Sequence, residues 1–181
     1  SLREAILCFC LANVVRDLRG QSKEPRSMLV NMSRFIHVQK VITEHVAIWF
    51  EEIFNDIRVN FNNDASKNHH LPLYTELCSI WEKHFSNVTD VTFERVSKKV
   101  SLLAALEKIE VKMVNGSKQS ASLNYKENPS LRVIAIGGLA LSRGLTLEGL
   151  MVSYFYRNTA TFDVLMQMGR WFGYRRGYED L

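Results

Sequence analysis

Two short segments of the chain combine residue types suited to handling phosphate. The first, Gly137-Gly138-Leu139-Ala140-Leu141-Ser142-Arg143-Gly144-Leu145-Thr146, follows an apolar run of strand length. Its glycines let main chain approach a ligand closely, its amides and hydroxyls can meet phosphate or sugar, and Arg143 adds a fixed positive charge. A strand-to-helix turn that only needs small residues has the same spacing, and spacing alone leaves the two readings even. The segment is neither Gly-x-x-x-x-Gly-Lys-Ser/Thr nor Gly-x-Gly-x-x-Gly, and no other run matches either pattern. The second is Gln167-Met168-Gly169-Arg170-Trp171-Phe172-Gly173-Tyr174-Arg175-Arg176-Gly177-Tyr178, where three arginines and four aromatics fall within nine residues. Aromatics packed as core behind a solvated arginine edge fit poorly, because the glycines would weaken a plain helix. Arginine forks held by stacked aromatics and aimed at phosphate fit better. A base-stacking surface for nucleic acid has the same composition.

These residues carry a family resemblance. Ser142-Arg143-Gly144-Leu145-Thr146 resembles motif V of superfamily 2 helicases, in which a buried strand leads into Ala-Arg-Gly-Leu-Asp. Gln167-Met168-Gly169-Arg170 resembles motif VI, the carrier of the arginine finger, and the order and separation of the two match. Together with Ser27-Met28-Leu29-Val30 and the Leu147-Glu148-Gly149-Leu150 that follows motif V, they make most of the chain similar to the bacterial Z1 domain family. That family is associated with endonuclease function and occurs in large helicase-like proteins of restriction or phage-defence type.

The resemblance implies a RecA-like domain over residues 1–181, the second lobe of a two-lobed ATPase, with a helical, loop-rich insertion around 58–108. It implies ATP and Mg2+ in the full-length protein, with the phosphate loop and the magnesium carboxylates on a first lobe. Arg170 is then the finger, Gln167 an orienting or nucleotide-contacting group beside Gly169, and Arg175 the second arginine. Ser142, Arg143, Gly144 and Thr146 form the loop that couples nucleotide to a bound strand, while Ser33 and Arg34 end the strand that corresponds to motif IV. The implied partners are nucleic acid, DNA in the first instance, and the N-terminal ATPase lobe; no membrane is implied. Three departures stand out. The family's second arginine lies three residues after the first, where this chain has Gly173, so Arg175 and Arg176 compete for the role. Thr146 replaces an Asp, which weakens transfer of a ribose contact. No Walker-type loop or Asp-Glu pair is present, so the expectation is a fragment that does not hydrolyse ATP alone.

Two other functions compete. Glu110-Val111-Lys112 has the Glu-x-Lys form of many restriction nucleases, with Asp90 upstream, yet the solvated face of an edge strand explains it more simply. A non-enzymatic nucleic-acid module would use the same basic, aromatic end to stack on bases. Other conspicuous residues take ordinary readings: His69-His70 in a polar loop without partners, Trp49, Phe50 and Phe54 as one core face, and Lys98-Lys99 as a solvated helix surface.

The elements that must position these segments follow from hydrophobic period. Residues 2–18 repeat at helical intervals and stop at Arg19-Gly20; 27–33 is an apolar run of strand length, and 37–57 returns to a helical period. Residues 60–70 are polar and rich in Asn. Residues 71–85 and 93–106 each predict one helix, 109–114 and 132–138 predict strands, 147–156 is apolar, and 161–169 predicts a helix. Nearly all-apolar strands alternating with helices predict an α/β fold, a three-layer parallel sheet with helices on both faces whose working residues gather beyond the carboxyl ends of the strands.

With 181 residues, 46% hydrophobic and 23% charged, the chain buries roughly 70% of its unfolded surface and needs no metal or disulfide staple. Disordered and collagen-like classes are excluded by 3 Pro, 9 Gly and the absence of biased blocks or repeats. A net charge of +4 permits a polyanionic partner without requiring one. Three cysteines, two of them in an apolar run, fit a reducing compartment, and the histidines lack ligand spacing. With no signal peptide and no run of ~18 apolar residues, the chain reads as cytoplasmic.

Overall fold

The computed structural model describes residues 1–114, 123–137 and 147–156. The fold is α/β, and the chain divides into two compact units. Among the described residues, one unit holds 1–22 and 48–109, and the other holds 23–47, 110–114, 123–137 and 147–156.

The first unit is helical. Its α1 (Leu2–Leu18) starts with a reciprocal cap in which the Ser1 hydroxyl accepts from the Glu4 amide, and it ends where Gly20 adopts φ +78°. Ile6, Leu7 and Phe9 to Arg16 are all buried, the pattern of a helix enclosed on every side. Around it pack α3 (Pro72–His84), α4 (Phe93–Val96) and α5 (Lys99–Leu106). Arg3 of α1 grips Glu76 of α3 through two nitrogens at 2.9 Å. Tyr74, Trp81, Phe85 and Phe93 form a connected aromatic cluster, with Trp81 stacked on Phe85 at 5.3 Å.

Residues 93–106, expected as one helix, are two. Ser97 closes α4 by donating its amide to the Phe93 carbonyl, and Lys98 turns extended. The first-turn amides of α5 then find acceptors in the Asn-rich loop: Lys99 donates to the Asn62 carbonyl at 3.3 Å and Val100 to Asn63 Oδ1 at 3.0 Å. The loop is pinned in turn by Asn68, fully buried, whose side chain bonds both the amide and the carbonyl of Asn62. It includes a short 3-10 turn at Ala65–Asn68. His69 meets the Tyr74 ring edge-on at 5.1 Å, so it has the partner that the polar loop did not suggest.

The second unit contains the sheet: β1 (Arg26–Asn31), β2 (Ile109–Val114, from Glu110 onward), β3 (Arg132–Gly137) and β4 (Leu150–Phe155), in the order β2-β3-β1-β4. β1 pairs in parallel with both β3 and β4. β1 and β3 are buried at every position, as interior parallel strands must be. Leu29, Val133, Ala135 and Phe155 share one face and pack with Val114, Tyr125, Leu131 and Leu147. Gly149 adopts φ +66°, and a Cβ there would lie 1.9 Å from the Pro25 carbonyl oxygen.

The helix α2 (Ile36–Asn60) gives its first part to the sheet unit and its second to the helical unit. Its buried stripe is Val46, Phe50, Ile53 and Ile57, spaced four, three and four. Trp49, expected on the same core face, is 38% exposed. Successive residues stand about 100° apart on a helix, so Trp49 and Phe50 cannot both face inward. Among the described residues no helix is long and apolar enough to cross a membrane.

Candidate functional site

Because β1, β3 and β4 run parallel, their carboxyl ends share one edge of the sheet, and the segments singled out by residue chemistry follow in sequence from that edge. Ser33-Arg34 comes after β1, Ser142 to Thr146 after β3, and Gln167 to Arg176 after β4. The chain leaving β1 returns to the flank at β2, whereas the chain leaving β3 reaches β4 on the other flank. Adjacent central strands with connections to opposite flanks are where open parallel sheets leave a ligand crevice.

Ser33 and Arg34 do not end the strand as expected. β1 stops at Asn31, and the two residues form the turn into α2. The reason is local: Ser33 Oγ accepts the Phe35 amide at 3.1 Å and the Ser33 carbonyl accepts Gln39 Nε2 at 3.0 Å, bonds that compete with a strand ladder. Ser33 is half-buried, while Arg34 is exposed with its guanidinium 5.0 Å from the centre of the Phe35 ring. Arg170, Arg175, Arg176, Gln167, Gly169, Ser142, Arg143, Gly144 and Thr146 lie outside the described residues, as does the helix expected at 161–169.

The described part of the edge holds a feature that residue-type reasoning missed. Asn31 is fully buried at the end of β1, and among the described residues neither its Nδ2 nor its Oδ1 has a hydrogen-bond partner. Its carbonyl does, accepting the Tyr156 amide at 3.0 Å. The Ser153 hydroxyl on β4 is likewise sealed and unpartnered, and so is Gln39 Oε1. A sealed polar group without a partner costs about 1–3 kcal/mol, so the uncommitted carboxamide of Asn31 needs an explanation. The signal in the sequence was an Asn closing the otherwise apolar Met28-Leu29-Val30.

Residues weighed for a nuclease centre are committed elsewhere. Asp90 pairs with Arg19 at 2.8 Å, and that guanidinium holds its carboxyl below the usual range. Glu110 pairs with Lys112, its neighbour on the same side of the strand. Among the described residues no three of His, Cys, Asp and Glu gather as metal ligands. Cys8 and Cys10 are free thiols; burial pushes Cys10 up to about 12 and Cys8 up to about 11, so neither is an activated nucleophile at neutral pH.

A family model described as the Z1 domain matches residues 1–181. No curated protein and no solved structure matches the chain.

Proposed function

Since the chain belongs to the Z1 domain family, we propose that it is the second, RecA-like lobe of a nucleic-acid-dependent ATPase of bacterial restriction or phage-defence type. The observation that carries this reading is the parallel pairing of β1 with β3 and β4, which gives the strands ahead of all three helicase-like segments a common carboxyl edge. Such an edge is where an α/β sheet meets its ligand.

In this reading the substrate is ATP with its Mg2+, held by the phosphate loop and carboxylates of a first lobe, and this chain contributes arginine. Arg170 stabilises the charge that develops on the transferring phosphoryl group, and Arg175 or Arg176 supplies a second guanidinium. Gln167 orients the attacking water or contacts the nucleotide. Ser142, Arg143, Gly144 and Thr146 couple the nucleotide to a strand of DNA, with Ser33 and Arg34 contributing backbone contacts from the turn after β1. Arginine suits these tasks because its charge is permanent and its fork is fixed.

The test is Arg170→Ala in the full-length protein. The reading predicts loss of ATP hydrolysis by a factor of about a thousand or more, as for other arginine fingers, with strand binding nearly intact. Retained hydrolysis would refute it. Weakened strand binding with a shallower salt dependence, and hydrolysis unchanged, would favour a nucleic-acid binding module instead.

A further inference from the structure

We propose that Asn31 and Ser153 form a base-recognition contact at the carboxyl edge of the sheet, taking a planar ligand that offers a hydrogen-bond donor and acceptor on adjacent atoms, the edge of adenine. Strand register carries the argument. Leu29 lies beside Ser153 and Asn31 beside Phe155, and in a parallel pair such partners project to the same face. Leu29 and Phe155 do share one core cluster, which sets the Asn31 carboxamide and the Ser153 hydroxyl on the same face as neighbours. On the other flank Val30 pairs with Ile136, so continuing the register one step brings Gly137, which has no side chain, beside Asn31.

The chemistry of the set is specific. A carboxamide with both functions uncommitted presents one donor and one acceptor in a plane, the arrangement that pairs with the N6 and N7 of adenine and mismatches guanine. Phe155 is the aromatic residue paired with Asn31 in the register, Gly137 has no side chain, and Ser153 adds a hydroxyl able to donate or accept. No carboxylate or ammonium group is among these residues, so the set recognises a neutral polar edge, unlike the phosphate-directed arginines. The inference uses the nucleotide and strand reading above only for the ligands offered to the site. Adenine reaches it either from ATP or from a single strand.

The experiment measures affinity of the full-length protein for ATP against GTP, and for a deoxyadenosine against a deoxythymidine oligomer, in the natural protein and in Asn31→Leu. A preference for adenine of about tenfold is expected in one of the two pairs, and which pair shows it identifies the source. In Asn31→Leu that preference should fall to near one, while the melting temperature of the protein without ligand stays level or rises, because the amide it loses was unpartnered. Ser153→Ala should weaken the preference partially. Absence of any adenine preference, its persistence in Asn31→Leu, or a drop of several degrees in that variant's melting temperature would overturn the proposal, the last by revealing a structural role. Hydrolysis that depends on Arg170 without a preference that depends on Asn31 would sink this inference alone. The reverse result would sink the ATPase reading alone.

Discussion

Ser27 and Asn31, near the two ends of β1, use their polar side chains in opposite ways. At the amino end, the Ser27 hydroxyl donates to the Glu148 carbonyl at 2.7 Å, which leaves its oxygen to accept the Tyr125 hydroxyl at 2.8 Å. The Ser27 amide donates to the Gly149 carbonyl and the Arg26 amide to that of Leu131, both at 2.8 Å. At the carboxyl end, four residues along the same strand, Asn31 is just as deeply buried and its side chain commits neither function. One end is assembled to hold the sheet together; the other keeps hydrogen-bonding capacity in reserve. In the proposed reading, those sealed groups at the carboxyl edge are kept for a ligand at a cost in stability.

The largest effect that would test this contrast is at Gly149. Gly149→Ala puts a side chain into a left-handed conformation and drives its Cβ into the Pro25 carbonyl, so a loss of more than about 2 kcal/mol is expected in chemical denaturation. Next is Ser27→Ala, which removes the buried hydrogen bonds to the Glu148 carbonyl and the Tyr125 hydroxyl and should cost about 1–2 kcal/mol by the same measurement. If Ser27→Ala were neutral, the amino end would not be the committed one.

A smaller effect belongs to the helical unit and serves as a control. The ammonium of Lys83, then His84, lower the Glu4 carboxyl from 4.5 to about 2. A depressed carboxylate stabilises the fold above its unfolded value and loses that contribution as pH falls through its folded value. Glu4→Gln should therefore lower stability modestly at neutral pH, where the carboxylate contributes fully, and flatten the acid limb so that the two proteins converge as pH falls from about 4.5 to 2. The smallest stability effect is that of Asn31→Leu without ligand, close to zero by melting temperature, against the clear loss in Ser27→Ala.

Much of the framework was legible in the sequence, for reasons tied to particular residues. The sheet could be read because β1 and β3 are interior parallel strands built on the apolar runs Met28 to Val30 and Val133 to Ile136, and α1 because its apolar residues repeat at helical intervals and stop at Arg19-Gly20. The break between α4 and α5 could not, since the apolar period runs on through Ser97 and the acceptors that compensate for it come from Asn62 and Asn63, more than thirty residues away. At the candidate site, the glycine-rich and arginine-rich segments declared themselves by composition. Asn31 did not: a single Asn in a strand carries no signal until register shows Ser153 and Phe155 alongside and burial shows its amide unused.

The most direct test of the carboxyl edge as the ligand edge is amide-resolved hydrogen exchange on the full-length protein, with and without ATP·Mg2+ and a single-stranded oligomer. The account predicts that added ligand slows exchange at Asn31, Ser33, Gly137 and Tyr156 while Ser27 and Gly149 at the amino edge exchange as before. Protection confined to the amino edge, or none at either edge under saturating ligand, would contradict it.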